Sequence, residues 1–181
     1  MGGCPARAAR GGRVVDLAAG HGLLAQLMLI LDDSSPTAIA IDKTLPASSP
    51  RLRDAIVATW PRLSGRVSFV EGPLESVEIQ PGDVVVSSHA CGALTDLVLD
   101  RAAAAKARVA VLPCCHDRAP RLGSGQVIND AGPLTGWVDS ALAIDIRRAQ
   151  RLEQRGYDVR TQAIPAAITP KNRLLMGEPR A

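Results

Sequence analysis

The sequence predicts an α/β protein with a mostly parallel sheet. Short apolar runs alternate with longer amphipathic or apolar stretches along most of the 181 residues, and such alternation is typical of parallel strands joined by crossover helices. Hydrophobic residues make up 46% of the chain and aromatic residues only 2%, so small branched side chains must fill the core, as in a sheet covered by helices on both faces. The last two strand-like runs lack a helix between them, which predicts a C-terminal antiparallel hairpin.

Seven strands and four helices account for this pattern. The strands are expected at 14–17, 38–41, 67–71, 83–88, 108–112, 158–164 and 173–177, and the helices at 22–32, 50–60, 94–106 and 137–155. Cap and turn residues favour these boundaries, because Ser49 and Pro50 are typical of a helix start, Thr95 or Asp96 of a cap, and Gly156 of a helix end. Segment 116–136 has no clear period and predicts a loop over one end of the sheet.

Length and composition predict one folded domain over residues 13–181, preceded by a disordered segment at 1–12. The net charge of +3 is too small to indicate a basic nucleic-acid-binding face by itself. No signal peptide or long apolar run is visible, and the four cysteines, two of them adjacent, do not have the spacing of a secreted disulfide framework. We therefore expect a cytoplasmic protein with reduced thiols and no membrane partner.

The segment from Val14 to Ala25 carries the strongest functional signal. An apolar strand that contains Asp16 runs into glycines at 20 and 22 and then into an apolar helix, and such a turn leaves backbone amides to meet a ligand. A second strand ends in Asp42, at the position where nucleotide-binding sheets place a carboxylate for ribose hydroxyls. The pattern predicts a nucleoside-containing cofactor. The alternatives are a tight turn without ligand, a capping role for Asp42, and a buried structural role for Asp16.

These features together resemble the class I S-adenosylmethionine-dependent methyltransferases over about residues 13–178. The turn DLAAGHG at 16–22 is similar to that family's Asp-x-Gly-x-Gly-x-Gly. Ala18 replaces the first glycine, and we expect a negative φ to accommodate it. The motifs SHACGALTD at 88–96, PCCH at 113–116 and NRLL at 172–175 resemble a subgroup. That subgroup includes methyltransferase domains of the glutathione-transferase-C-terminal-domain-containing type and tRNA 2′-O-methyltransferases.

The resemblance implies a Rossmann-like fold with a seven-stranded, mostly parallel sheet, helices on both faces and a C-terminal hairpin, and it implies S-adenosylmethionine as cofactor. RNA is slightly favoured as methyl acceptor over protein or a small molecule. The first strand begins only thirteen residues into the sequence, so we expect the helices that usually precede it to be missing or contributed elsewhere, with a partner chain or extra domain covering the cofactor. The expected cofactor contacts are Asp16, Gly20, His21 and Gly22 around the methionine part, Asp42 at the ribose, and Gly72, Pro73 and Leu74 at the adenine.

Methyl transfer from a sulfonium is an in-line displacement, which depends chiefly on how the acceptor is positioned. A hydroxyl acceptor must also lose a proton, and a histidine that titrates near neutrality can take it. His89, after the fourth strand, is the first candidate base and His116, after the fifth, is the second. The alternative is that His89 organises the pocket through hydrogen bonds.

The cysteines after strands four and five, with the same two histidines, have ligand atoms that zinc prefers. Reduced cysteines packed as small apolar side chains explain the pattern better, so we predict no metal site, and nothing in the sequence favours a disulfide or a nucleophilic thiol there. A group of arginines is expected to form an ordinary solvated face rather than a basic rim. The cysteines are Cys91, Cys114 and Cys115, and the arginines are Arg118, Arg121, Arg147, Arg148 and Arg151.

Two other functions remain open from the sequence. A non-catalytic module could use the same fold to bind a cofactor or a partner chain. An NAD-dependent oxidoreductase would need Gly-x-Gly-x-x-Gly at the first turn, with Ala25 standing in for the last glycine, and the terminal hairpin argues against it.

Overall fold

A computed structural model describes residues 11–88, 90–114, 116 and 136–180. Its strands are β1 (Val14–Leu17), β2 (Ala38–Asp42), β3 (Val67–Glu71), β4 (Val84–Ser87), β5 (Arg108–Val111), β6 (Tyr157–Ala163) and β7 (Arg173–Pro179). They form one sheet in the order β3-β2-β1-β4-β5-β7-β6. The predicted strands are confirmed, with ends that differ by no more than about two residues, as is usual for strand and helix termini.

The first five strands are parallel and the last two are not. Val14 in β1 lies opposite Ala38 in β2 and Val84 in β4, which sets the register at the centre of the sheet. β7 runs antiparallel to both β5 and β6, so the predicted C-terminal hairpin is confirmed. The antiparallel β7 next to β5 also distinguishes this sheet from that of dinucleotide-binding domains, in which the sixth strand is parallel and lies next to the fifth.

Helices cover the sheet on both faces because alternate strand residues point to opposite sides. The helices are α1 (Leu23–Leu31), α2 (Ser49–Thr59), α3 (Ala93–Ala104) and α4 (Ser140–Gln154), with 3-10 turns at Pro61–Leu63 and Leu74–Ser76. Val14 belongs to the apolar core beneath α1 and α2, and its neighbour Val15 belongs to the core beneath α3 and α4. None of these helices is long and apolar enough to span a bilayer.

Two predicted helix boundaries are confirmed and one starts later than expected. Pro50 occupies the second position of α2, and Gly156, with φ of +83°, follows the end of α4. α4 begins at Ser140 rather than 137, because the Asp139 carboxylate accepts a hydrogen bond from the amide of Leu142 at 2.9 Å and caps the helix there. The predicted loop 116–136 lies outside the described residues except at its two ends.

The predicted caps of α3 are wrong. Gly92 is the N-cap residue, so Thr95 and Asp96 lie inside the first turn of the helix. The Thr95 hydroxyl donates to the carbonyl oxygen of Ala90, and the Asp96 carboxylate accepts two hydrogen bonds from Arg148 on α4. Thr95 thus bonds within its own segment, and Asp96 bonds to α4, whose packing against α3 the sequence pattern did not indicate.

The expectation of a solvated arginine face is also wrong for Arg148, whose residue surface is only 1% exposed. It lies between α3 and α4, where Asp96 neutralises its charge. Arg147 and Arg151 are half-buried, and Arg151 pairs with Asp100 of α3. Arg118 and Arg121 lie outside the described residues.

The N-terminal residues 1–10 also lie outside the described part of the chain. Gly11 and Gly12, which the sequence assigned to a disordered segment, are described next to the sheet. The carbonyl oxygen of Gly11 accepts a hydrogen bond from the guanidinium of Arg108 at the start of β5. The first described residues are thereby joined to the folded domain.

Candidate active site

The chain passes from β1 to α1 through a tight bend with left-handed backbone. The φ angles are +57° at Ala18, +54° at Gly20 and +70° at Gly22, and the bend closes with a hydrogen bond from Gly22 N to Ala19 O at 2.8 Å. The expected negative φ at Ala18 is therefore wrong. A left-handed alanine costs about 1–2 kcal/mol, so this position carries strain that the glycine of the family motif avoids.

The two glycines of the bend serve different purposes. A Cβ added at Gly22 would lie 2.5 Å from Cε1 of Phe69 and 3.0 Å from Cβ of Ala40, so the absence of a side chain lets α1 lie close to β2 and β3. A Cβ added at Gly20 would meet no atom within 4 Å. Gly22 therefore packs against the sheet, and Gly20 faces open space where a ligand can approach the backbone.

Asp16 supports the bend from beneath. It is 1% exposed, and its Oδ2 atom accepts a hydrogen bond from the amide of Ala25 at 3.1 Å. This bond caps the first turn of α1, which Gly22 cannot do because it has no side chain. Burial raises the pKa of Asp16 to about 7, the Ala25 hydrogen bond opposes that shift, and the negative charge of Asp42 adds to it.

Asp42 joins the predicted cofactor-binding segments to one another. Its Oδ2 atom accepts a hydrogen bond from the amide of Gly20 at 2.7 Å, and its carbonyl oxygen accepts one from the amide of Gly72 at 2.9 Å. Within the described residues no donor reaches its second carboxylate oxygen, Oδ1. The carboxylate therefore lies at the glycine bend with one oxygen left to accept a ligand hydroxyl.

A cleft of about 480 Å³ opens beside the bend, a volume within the usual range for small-molecule sites. His21 borders it, and its Nε2 atom lies 2.8 Å from Oγ of Ser48. Asp42 and the segment 72–74 do not line this cleft and lie beyond the bend. The lining residues are Ala19, Gly20, His21, Leu23, Leu24, Leu27, Leu52 and Ser88.

The segment predicted to border the adenine is only partly available to a ligand. Gly72 has φ of +155° and follows β3 directly, and Pro73 continues in an extended conformation. The Leu74 side chain is buried in the apolar core, and its carbonyl oxygen accepts a hydrogen bond from Arg101. Gly72 and Pro73 thus remain the members of this segment that a ligand can reach.

The leucines along the cleft are site residues that sequence reasoning missed. α1 is apolar except for Gln26, a pattern usually typical of a buried helix. Leu23, Leu27 and Leu31 are nevertheless 45%, 40% and 82% exposed. Their spacing of four residues on a helix next to the glycine bend was the signal that an apolar face borders the site.

His89, the first candidate base, and Cys115 lie outside the described residues. His116 is described, and its Nε2 atom lies 2.8 Å from Oδ1 of Asp145 on α4. Asp145 also accepts hydrogen bonds from Arg148 at 3.3 Å and from Arg173 at 2.8 Å. The second candidate base is therefore held by a carboxylate that also contacts two arginines.

The cysteines are not buried as expected. Cys91 is exposed and Cys114 is half-buried, and their Sγ atoms lie 2.8 Å apart. They meet because β4 and β5 are neighbours, so the segments that follow these strands leave the sheet side by side. Over the described ranges, no three His, Cys, Asp or Glu side chains are grouped around a possible metal position.

Sheet order, terminal hairpin and glycine bend together define a Rossmann-like methyltransferase fold. A family described as methyltransferase domain matches residues 6–120, well over half of the chain, so the protein belongs to that family. It is 26% identical over 122 residues to a glutathione S-transferase C-terminal domain-containing protein of Xenopus laevis, in a match that covers 52% of this chain and 20% of that protein. The chain thus spans about a fifth of the length of this curated relative.

Solved structures show the same fold. An O-methyltransferase family protein from Burkholderia thailandensis has a TM-score of 0.56 and 18% identity, and the match covers 94% of this chain and 51% of that protein. An O-methyltransferase of neocarzinostatin biosynthesis, solved with S-adenosylmethionine and 2-hydroxy-5-methyl naphthoic acid, has a TM-score of 0.54 and 21% identity. That match covers 93% of this chain and 49% of the other protein, so the chain spans about half the length of each.

Proposed function

We propose that this protein is an S-adenosylmethionine-dependent methyltransferase. The observation that carries the proposal is the Asp42 carboxylate at the end of β2, which holds the Gly20 amide at 2.7 Å and keeps its second oxygen for a ligand hydroxyl. A ribose offers such hydroxyls at this position of nucleotide-binding sheets. Membership of the methyltransferase domain family directs the choice toward S-adenosylmethionine rather than NAD.

The proposed roles follow from the chemistry of the groups at the bend. Asp42 accepts the ribose hydroxyls, and the backbone at Gly20 and His21 lies along the methionine part. Gly72 and Pro73 border the adenine. Asp16 keeps its role beneath the bend, where it holds α1 in place. When bound, the cofactor supplies a methyl group on a positively charged sulfur, and the protein's task is to hold the acceptor in line with it.

A hydroxyl acceptor requires a base, and we propose His89 first and His116 second for that role. For His116 the hydrogen bond with Asp145 is informative, because a carboxylate only accepts hydrogen bonds and so the proton is on Nε2. The neutral ring then has its lone pair on Nδ1, which is the atom that would take the acceptor's proton.

Calorimetry with S-adenosylmethionine, S-adenosylhomocysteine and NAD tests the cofactor. We expect the first two to bind and NAD not to bind. Asp42→Ala should weaken binding about tenfold or more, since a hydrogen bond to a charged group contributes roughly 1.5–3 kcal/mol. Asp54→Ala, which removes an exposed carboxylate from α2, is the matched control and should bind as the wild type does. Equal affinity of the wild type and Asp42→Ala would contradict the proposed ribose contact.

The acceptor requires a separate experiment. We propose RNA ahead of protein or a small molecule, on the resemblance of the motifs after β4 and β5 to RNA methyltransferases. Transfer of a radiolabelled methyl group to RNA, protein and metabolite extracts distinguishes the three. If His89 is the base, His89→Ala should keep cofactor affinity and lose methyl transfer. Unchanged turnover of His89→Ala would contradict that role. The same comparison for His116→Ala tests the second candidate.

A second candidate function rests on the exposed leucines of α1. Leu23, Leu27 and Leu31 form an exposed apolar face, of which Leu23 and Leu27 line the cleft. A contiguous apolar surface of this kind is typical of contact with another polypeptide. The second candidate is therefore a module that binds the cofactor and gains activity only when a partner chain or further domain covers this face. Binding of S-adenosylhomocysteine with no turnover on any extract is the result that favours this candidate.

A further inference from the structure

The strand pairing brings Cys91 and Cys114 together. Ser87 at the end of β4 lies opposite Val111 at the end of β5, and the amide of Leu112 donates to the carbonyl oxygen of Ser87 at 2.9 Å. The two segments that follow are therefore neighbours where they leave the sheet. The Sγ atoms of the two cysteines lie 2.8 Å apart, closer than two sulfur atoms that merely touch, so a covalent bond between them requires little movement.

The pair is also accessible to reagents in solution. Cys91 is exposed and Cys114 half-buried, whereas structural cysteines are usually buried and inert. Neither cysteine has a role in the proposed cofactor contacts. Ser88, three residues before Cys91, lines the cleft beside the glycine bend, so a covalent link at Cys91 would restrain a segment at the edge of the site.

We propose that Cys91 and Cys114 form a redox-active dithiol, which a low-molecular-weight disulfide such as oxidised glutathione converts into an intramolecular disulfide. The more exposed Cys91, as thiolate, attacks the glutathione disulfide and forms a mixed disulfide, and one glutathione thiolate leaves. The thiolate of Cys114 then attacks Sγ of Cys91 and releases the second glutathione. Two protein thiols are oxidised to one disulfide, the glutathione disulfide is reduced to two thiols, and the protein's two thiol protons pass to the departing thiolates.

A bound metal ion explains the arrangement less well. Thiolates that share a tetrahedral metal ion lie on separate corners of its coordination sphere, with the metal between them, whereas these two sulfur atoms are in direct contact. The direct contact therefore points to sulfur-to-sulfur bonding.

The disulfide would enclose α3 and β5 within a covalent loop. Closing a loop of this length restrains the unfolded chain, and in a domain of this size the expected rise in Tm is on the order of 5–10 °C. In the reducing compartment that the sequence predicts, the dithiol form would predominate and the disulfide would form under oxidation. This inference is independent of the proposed methyltransferase activity, because its measurements need neither cofactor nor acceptor.

The test is to equilibrate the whole chain with glutathione buffers of increasing oxidised fraction and to alkylate the remaining thiols. Mass spectrometry then gives the number of alkylated thiols and identifies the peptides joined by a disulfide. We expect loss of two alkylatable thiols, a linkage between Cys91 and Cys114, a higher Tm, and full reversal by dithiothreitol. Cys91→Ser and Cys114→Ser should each abolish the linkage and the rise in Tm. Cys115→Ser, which changes the adjacent thiol, is the matched control and should retain both.

Several results would overturn the proposal. One is a wild-type protein that keeps all its thiols in the most oxidising buffer. Another is a Cys114→Ser variant that forms a disulfide from Cys91 in the same buffers as the wild type. A third is stoichiometric zinc in the purified protein that Cys91→Ser and Cys114→Ser both lose. Tm values measured under reducing conditions show whether each variant is folded, so a folding defect is not mistaken for loss of the disulfide.

Discussion

Asp16 and Asp42 show how two carboxylates that the sequence assigned to one cofactor site acquire different environments. Asp16 lies in the middle of β1, is almost completely buried and accepts one backbone hydrogen bond. Asp42 lies at the end of β2, is half-buried and bonds to the amide of Gly20. The sequence assigned both to the cofactor. The position of each along its strand determines its access to water, so Asp16 is enclosed in the fold and Asp42 is reached by solvent.

The pKa of Asp16 predicts a pH-dependent stability. Its pKa is raised from 3.8 to about 7, so the folded protein binds this proton more tightly than the unfolded chain does. The contribution of Asp16 to the free energy of unfolding is thus full below about pH 4 and is lost as the pH rises toward about 7. Asp16→Asn keeps an oxygen for the Ala25 amide and removes the charge, so its stability should vary less with pH.

Urea denaturation between about pH 5 and about pH 8 measures this effect. Relative to wild type, Asp16→Asn should gain about 2–3 kcal/mol over that interval, since the wild type loses stability over about two pH units below the pKa and each unit corresponds to roughly 1.4 kcal/mol. Asp54→Asn, at an exposed site on α2, is the control and should follow the wild-type profile. If Asp16→Asn also followed the wild-type profile, Asp16 would titrate alike in both states.

At the scale of the element, α1 is held by contacts at its N-terminus rather than by its own capping residue. Gly22, at the N-cap, has φ of +70° and no side-chain cap, and Asp16 supplies the missing acceptor from β1. The close approach of Gly22 to Phe69 fixes the distance between helix and sheet. The orientation of the glycine bend therefore depends on contacts with three strands.

Gly22→Ala should destabilise the protein through packing as well as backbone strain. The left-handed backbone costs an alanine about 1–2 kcal/mol, and the new methyl group would lie 2.5 Å from Phe69, which adds about 1–3 kcal/mol for overpacking. Gly65→Ala is a matched control, because Gly65 has φ of +71° and a Cβ there would meet no atom within 4 Å. Denaturant midpoints should therefore show a larger loss for Gly22→Ala, and equal losses would contradict the packing contribution.

At the scale of the whole molecule, a network of buried charges joins the C-terminal half of the fold. Arg148 on α4 donates to both oxygens of Asp96 on α3, each at 3.0 Å, and to the carbonyl oxygen of Gly92 at 2.8 Å. Asp145 on α4 contacts His116 after β5 and Arg173 in β7. Two helices, α3 and α4, thus meet strand β7 and the segment after β5 at one set of paired charges.

Removal of one member of this network should be costly. Arg148→Met leaves Asp96 buried without its partner, and breaking a buried ion pair in this way typically costs about 3–5 kcal/mol. Combining it with Asp96→Leu should recover part of the loss, because neither charge then remains buried. Arg53→Met, which breaks the exposed pair with Asp54, is the control and should cost no more than about 1 kcal/mol. A similar loss of stability for Arg148→Met and Arg53→Met would show that the buried network contributes little.

Much of the fold could be predicted because the signals are local. Alternating apolar runs located the strands, and the missing helix before β7 indicated the hairpin. The cap of α3 could not be predicted, because Thr95 and Asp96 match a capping pattern, whereas Thr95 bonds to Ala90 just before the helix and Asp96 bonds to Arg148 of α4. The four-residue spacing of Leu23, Leu27 and Leu31 is visible in the sequence, but their exposure is not, because the same spacing occurs on a helix face that another element covers.

The sequence by itself determined the positions of the strands, the glycine bend, the acid that ends β2 and the terminal hairpin, because each depends on residue types a few positions apart. Only the tertiary structure decided that Asp16 lies beneath the bend, that Ala18 adopts a left-handed backbone, that Arg148 is buried, and that Cys91 meets Cys114. Burial and electrostatic environment depend on distant segments brought together by the sheet, and residues 23 or 52 positions apart leave no periodic signal in the chain.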